Sequence, residues 1–494
     1  MRNILEMLEE TAARLPEKTA VADAEGRYTF AELTRLARRI GASVGDKAGR
    51  PVGVLAERSV DTLAFFLGAL YSGGYYVPLD PDMPAEKLRA ILAETGLDVV
   101  LGPEEGRARL AELGYSGAYR AMGEIGAEEC ALPDAGDDDP LCLVYTSGST
   151  GRPKGILKSH RAMCSYIGAF CDTFAVTGAD VVGNQTPFFF DASAKDIYLS
   201  LRLGCTLELL PTKLFSFPTE LVEYLNARGV TCISWVPTAF SIVAQLNPFP
   251  LVKPEKLRWA FFVGEVMPMK HLNRWRAALP DVRYVNLYGQ SELAGVCCYY
   301  EVRGAFADSD TLPIGRPLAN CRVRLLDEQG GLIAEPGRVG EIHIASEALA
   351  LGYFHDPEKT AASFLTRDLG DGPVRCFRTG DLAQLDAHGD LVFAARADFQ
   401  IKHMGHRIEL GEIEAVAGGL SEIGRCCCLY NAARQAIVLF CELEAGVSRT
   451  GAELRSRLRG LLSDYMLPRR VVVLDKLPLN ANGKVDRQAL KALM

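Results

Sequence analysis

The chain has 494 residues, of which 48% are apolar and 23% charged, with a formal net charge of −8. That length exceeds what one simple core organises, so two or three domains are expected, and the acidic balance argues against nucleic acid as the main partner. No run reaches the roughly eighteen apolar residues of a membrane span, and the N-terminus runs straight into an acidic amphipathic helix, so a cytoplasmic protein without membrane insertion is expected.

Residues 4–45 read as helix, short strand, helix, with Thr29 as N-cap of the second helix and Glu32 three positions on as its capping-box partner. Residues 52–57 form a strand, 61–72 a helix stopped by Gly73 and Gly74, and the stretch from Tyr76 to Asp80 a strand entering a turn. Strands alternating with helices at this spacing predict an α/β fold, a mostly parallel sheet covered by helices on both faces. Residues 219–240 are expected to give a helix and then a strand at 230–236, and further strands are expected at 257–263 and 282–287. From 313 to 394 short strands separated by Gly and Asp-Gly turns predict a small barrel-like β subdomain. Beyond it come a helix from 409, strands at 426–429 and 436–442, and a helix over 452–462.

The fourteen cysteines sit among apolar residues without any C-x-x-C spacing, so buried reduced thiols are expected rather than a metal site or disulfides. His403 and His406 form a lone H-x-x-H with no Cys or Asp beside it, which argues against a metal there as well. Residues 398–494 carry 14 Lys and Arg against 11 Asp and Glu, a mildly basic portion on an otherwise acidic chain. That is either an ordinary solvated surface or a place for an acidic partner to dock.

Four stretches carry chemistry. The apolar run 141–145 reads as a buried strand, and it breaks into Thr146-Ser-Gly-Ser-Thr-Gly-Arg-Pro-Lys154-Gly. Glycines let backbone N–H groups crowd one anion, Thr146, Ser147, Ser149 and Thr150 add neutral donors, and Lys154 adds a mobile positive charge. The spacing lacks the closing Gly-Lys-[Ser/Thr] of a standard P-loop, so that class is disfavoured. Next, Asp191 follows three phenylalanines, where an isolated carboxylate would cost several kcal/mol unless paired. Its partner is either a substrate ammonium or a nearby lysine, with Lys195 the candidate. After the strand at 282–287, Tyr288-Gly-Gln-Ser-Glu292 is a turn at the strand end where ligands bind in such sheets. Tyr288 offers a flat face to a purine and Glu292 a hard oxygen for Mg²⁺. Finally, Asp381, after Arg378-Thr-Gly, is able to accept two hydrogen bonds from a vicinal diol.

Taken together and in order, these stretches resemble the adenylate-forming superfamily: acyl-CoA synthetases, luciferases and the adenylation domains of peptide synthetases. The likeness runs from Tyr28 to Arg487 and is greatest to free-standing amino-acid adenylation enzymes and D-alanine–carrier-protein ligases. It implies a large domain over residues 1–397 and a mobile α+β domain over 398–494, hinged at Asp398. It also implies that Thr146, Ser147, Thr150 and Lys154 hold the β- and γ-phosphates of ATP, that Tyr288 faces adenine, that Asp381 and Arg396 take ribose, and that Gly148, Ser149, Gly151, Asn286 and Gly289 complete the nucleotide-binding set. Glu292 would hold Mg²⁺, and Lys484, on an Asn-Gly turn near the C-terminus, would bridge the reacting carboxylate and the α-phosphate. The sequence departs from the family at Gln290 and Ser291 (usually Pro-Thr), at Leu351 (usually Arg), at Ala395 (usually Gly), and at His403 and Met404.

The activity implied is activation of an amino acid as aminoacyl-AMP with release of pyrophosphate, then transfer to the phosphopantetheine thiol of a carrier protein. Registering the family's pocket onto this chain gives a wall of Asp191, Ala192, Lys195, Ser234, Phe261, Val263, Leu287, Gly295 and Val296. Most are small or apolar, which favours a compact substrate such as alanine; Lys195 favours an acidic one. An acyl-CoA synthetase acting on a non-amino acid and a non-catalytic nucleotide-binding relative are the alternatives.

Overall fold

The computed structural model describes residues 3–146, 153–396, 400–444, 446–479 and 485–494. Ser147, Gly148, Ser149, Thr150, Gly151, Asp398 and Lys484 lie outside the described residues. The chain divides into two compact units. One comprises Met1–Pro81, Gly96–Val144 and Gly155–Ala397; the other comprises Asp82–Thr95, Tyr145–Lys154 and Asp398–Met494.

Three sheets build the first unit. The largest has nine strands in the spatial order Arg316–Pro317, Val296–Glu301, Arg283–Gly289, Trp259–Val263, Cys232–Trp235, Val181–Asn184, Thr206–Leu209, Thr19–Ala22 and Arg27–Thr29. Its central strands are parallel and its outermost ones antiparallel. A seven-stranded sheet holds Pro51–Leu55, Tyr75–Leu79, Val99–Leu101 and Pro140–Thr146 in parallel array, with Lys154–Ser159 and Gly352–Tyr353 at one end and Ala118–Arg120 at the other. The third is a six-stranded antiparallel sheet centred on the long strand Pro373–Leu385.

Local chemistry accounts for the helices between them. Thr29 and Glu32 form the reciprocal capping box at the start of Phe30–Val44. Val60–Tyr71, capped by Ser59, is buried at every position except Asp61, which is how a helix apolar on all sides must sit. Helix Pro237–Leu246 was not foreseen, since Pro237-Thr238 read as the end of a strand; proline at the first helical position is instead an initiator. The helix expected to reach residue 462 ends at Leu458, because Arg459 turns extended and Gly460 adopts φ 88°.

In the second unit an antiparallel hairpin, Gln400–His403 with His406–Glu409, leads into helix Leu410–Gly418. Met404 and Gly405 both take positive φ at its two-residue turn. The H-x-x-H histidines are thus the last pair before a turn. His403 Nδ1 lies 3.3 Å from the Tyr430 hydroxyl, and the His406 ring stacks on Tyr465. A three-stranded sheet, Ile423–Asn431, Ala436–Leu443 and Arg470–Val473, backs this core. All fourteen cysteines are free thiols and ten are buried, as expected of small hydrophobes. Among the described residues no helix is long and apolar enough to cross a membrane.

Candidate active site

Asp191 lies in the turn that joins strand Val181–Asn184 to helix Ser193–Leu203. Its carboxylate takes the ammonium of Lys158, from strand Lys154–Ser159, and hydrogen-bonds the Ser291 side chain. Lys158 is 0% exposed, whereas 14% of the Asp191 side chain is open. Burial pushes the Asp191 carboxyl up, Lys158 and Ser291 pull it back, and the charge of Glu292 adds to the rise.

The lysine that pairs with Asp191 is therefore Lys158, and the expectation of Lys195 is corrected. Lys195 is itself buried and gives its ammonium to Asp196, whose other oxygen accepts from Asn184 Nδ2 at 3.0 Å. Its stem runs past Phe170 and Phe261, with the ammonium 5.1 and 5.4 Å from the ring centroids. A helix position that faces inward, supplied with an acid next door and two aromatic rings, turns this lysine into a core group.

Strand register sets the rest of the expected wall. Ser234 pairs with Phe261 and Val263 with Leu287, so these four side chains share one face of the nine-stranded sheet. Ser234, Phe261, Leu287 and Val296 are buried, Val263 is half-buried and Ala192 is exposed. Gly295 closes the hairpin tightly: a Cβ there would stand 2.4 Å from the Tyr166 ring, and one on Gly289 would stand 2.2 Å from the Gly295 carbonyl oxygen.

Asn286 and Tyr288 point to the opposite face. Asn286 Nδ2 donates to the Pro313 carbonyl at 2.7 Å. The Tyr288 hydroxyl donates to Asp381, and Gln290 Nε2 donates to the same carboxylate oxygen at 2.6 Å. Arg396, directly opposite Asp381 in the strand register, donates to the other oxygen at 2.6 Å. Asp381 is 1% exposed, so this buried charge is held by three donors, as buried charges must be. Gln290 keeps one atom unused: its Oε1 is buried with no hydrogen-bond partner among the described residues.

Glu292 is fully buried and accepts the Tyr353 hydroxyl at 2.8 Å. Tyr353 is placed for this by pairing with Ile156 across the sheet edge. Among the described residues no group of three or more His, Cys, Asp or Glu is arranged to hold a metal. One buried carboxylate fits Mg²⁺, which takes one or two protein carboxylates and fills its shell with water and phosphate oxygens. In the second unit, Thr146 Oγ1 is buried with no hydrogen-bond partner among the described residues, and Lys154 lies 3.9 Å from Glu409.

Sequence reasoning missed Lys158 and Tyr353 as members of this cluster and saw Gln290 only as a departure. A lysine next to the apolar pair Ile156-Leu157 in strand Lys154–Ser159 was the available sign that Asp191 had an internal partner. Nothing local marked Tyr353 or Gln290, because their partners are 61 and 91 residues away.

Comparison with known proteins gives the same outline. The AMP-binding enzyme family model matches residues 8–354, and the AMP-binding enzyme C-terminal domain matches residues 412–484. Tyrocidine synthase 1 of Brevibacillus parabrevis is 30% identical over 99% of this chain, which spans only 45% of that protein's length. Zwittermicin A synthase ZmaJ of Bacillus cereus is 28% identical over 99% of this chain and 95% of its own. The solved structure of holo-PA1221, an NRPS protein containing adenylation and PCP domains, superposes with a TM-score of 0.87 at 26% identity, covering 100% of this chain and 84% of that one. With one family model matching well over half of its length and a second covering most of its C-terminal portion, the chain belongs to the AMP-binding enzymes of the adenylate-forming superfamily.

Proposed function

We propose that this chain activates a small carboxylic acid, an amino acid or a close chemical relative of one, as its acyl-adenylate and passes the acyl group to a phosphopantetheine thiol on a carrier protein. A carboxylate is a poor acyl donor because its leaving group would be oxide. Attack of a carboxylate oxygen on the α-phosphate breaks the bond to the β-phosphate and releases pyrophosphate. The thiol sulfur then attacks the acyl carbon, AMP departs, and the thiol proton passes to solvent. Charge migrates over phosphate oxygens in the first step, so the protein contributes mainly positioning and fixed opposite charge.

The observation that carries the reading is the Asp381 cluster. A carboxylate oriented by Tyr288, Gln290 and Arg396 at a strand end is preorganised, and its Oδ1 has lone-pair capacity left for a ribose hydroxyl. Tyr288, with its hydroxyl anchored, presents its ring to adenine, and Asn286 and Gly289 belong to the same nucleotide-binding turn. The Thr146 hydroxyl, buried with no hydrogen-bond partner among the described residues, suits a phosphate oxygen, and we assign Ser147, Thr150 and Lys154 to the phosphates as well. Mg²⁺ at Glu292 would screen the phosphate charge. We assign Lys484 to the carboxylate and α-phosphate, and the pivot between residues 1–397 and 398–494 to Asp398. The commitment of Lys195 to Asp196 removes the cation on which an acidic substrate would rest, which leaves the small-substrate reading. The ZmaJ and PA1221 likenesses support a carrier-bound product.

The test is ATP–pyrophosphate exchange over a panel of small acids, followed by thiol loading with holo-carrier protein or coenzyme A. Exchange that is suppressed by orders of magnitude in Lys484→Ala, with thiol attack on supplied acyl-adenylate intact, is the expected outcome. Loading of coenzyme A alone would favour an acyl-CoA synthetase, and no exchange with any acid would favour a non-catalytic relative.

A further inference from the structure

Asp191 is the carboxylate positioned to greet an amino acid's ammonium, yet its charge is already matched inside the protein. Lys158 has no solvent exposure and gives its ammonium to Asp191, and Ser291 adds a hydroxyl to the same carboxylate. A substrate ammonium entering here would place two cations on one carboxylate in a largely dry site, with the like charges in contact and one of them lacking a counter-charge. The other carboxylate close enough to act on Asp191 is Glu292, and it has Tyr353 as a partner and, in the proposed reaction, Mg²⁺. Lys195 and Asp196 neutralise each other and add nothing to the balance.

Asp191 nonetheless remains usable. Its side chain is 14% exposed, and an ionised carboxylate has about four lone-pair directions, of which Lys158 and Ser291 occupy two. What it still accepts without a charge penalty is a neutral O–H.

We infer that Lys158 is the specificity-determining residue of this pocket, and that the acid it selects carries a hydroxyl, as in a small 2-hydroxy carboxylic acid, where an amino acid carries its ammonium. The inference rests on the acyl-adenylate reading and narrows its substrate class. Lys158 acts as a built-in stand-in for the substrate's positive charge. An α-ammonium is excluded by repulsion, while a hydroxyl donates to the free side of Asp191.

The experiment uses the full chain and matched acids that differ only at C2: glycolate against glycine, lactate against alanine, 2-hydroxyisovalerate against valine. Pyrophosphate exchange gives kcat/KM for each, and calorimetry with the corresponding hydroxyacyl- and aminoacyl-sulfamoyl adenosines gives binding without turnover. Wild type is expected to favour the hydroxy member by about ten-fold or more, and Lys158→Met, which frees Asp191 for an ammonium, to reverse that preference. Lys158→Met also leaves a buried carboxylate unpaired, so Asp191→Asn is measured beside it. That variant keeps an acceptor but strands Lys158 in turn, so its readout is the ratio between matched acids: the hydroxy member should still be preferred over the amino acid, whatever loss the two share. Tighter binding of the aminoacyl analogue by wild type, or abolition of all activity with collapse of aminoacyl binding in Asp191→Asn, would overturn the inference and leave the acyl-adenylate reading standing. Failure of every acid to support exchange, with no binding of either analogue, would remove both.

Discussion

Replacing Asp381 by Asn tests how the buried carboxylate is held. Asp381 receives Arg396 on one oxygen and both Tyr288 and Gln290 on the other, with 1% of the residue exposed. Loss of the negative charge breaks the ion pair that Arg396, itself 10% exposed, makes with Asp381, and breaking a buried pair by removing one member costs about 3–5 kcal/mol. The new amide would point an N–H₂ at a donor, Gln290 Nε2. Gln290, however, carries an Oε1 with no hydrogen-bond partner among the described residues, so a flip of its side-chain amide turns the clash into a hydrogen bond, recovering about 1 kcal/mol. The net expectation for Asp381→Asn is about 2–4 kcal/mol of destabilisation. Gln290→Leu removes the flip but also the wild-type hydrogen bond to Asp381, a charge-assisted bond of about 1.5–3 kcal/mol that both singles disturb, so the double variant should be milder than the sum of the singles by about 0.5–2 kcal/mol. Denaturant unfolding followed by tryptophan fluorescence reads this directly, since Trp235 and Trp259 lie in the nine-stranded sheet and Trp275 packs against it. A cycle that is additive within about 0.3 kcal/mol, or an Asp381→Asn variant as stable as wild type, would refute the reasoning.

Lys195→Met strands Asp196, which is 1% exposed, with only Asn184, and should destabilise the first unit by about 3–5 kcal/mol in the same unfolding assay; adding Asp196→Leu should restore most of it. The relative exchange rates of small and acidic substrates should be unchanged in Lys195→Met, because the ammonium faces Phe170 and Phe261. Acidification should weaken the fold through His160, which burial pushes down from 6.5 to about 4 and whose Nδ1 accepts the Ile4 N–H at 3.2 Å. The folded protein favours the neutral ring, so this contribution is complete above pH 6.5 and lost as pH falls through about 4. Unfolding free energy should drop by about 2–3 kcal/mol between about pH 6.5 and 4.5, and by less in His160→Asn.

Much of the fold was legible because the signals were local. Thr29 and Glu32 meet within one helical turn, residues 61–72 are apolar on every side, and Asp-Gly turns punctuate the β subdomain. The motif order along the chain likewise announced the family, since each motif is a contiguous stretch whose backbone conformation depends on its own glycines and hydroxyls. Side-chain partnership was different. Asp191 among phenylalanines demanded a cation, and the sequence offered Lys195 four positions away; the fold supplied Lys158, 33 positions back, from the strand whose edge pairs with Gly352–Tyr353. Gln290 looked like a defect where a proline was expected, until Asp381 arrived beside it from another sheet. Sequence alone determined that the Asp191 carboxylate, set behind three phenylalanines, needed a partner, because desolvation is a property of the group and its apolar neighbours. Only the tertiary structure decided which partner, because strand register and sheet packing bring together residues whose separation along the chain carries no information about their distance in space.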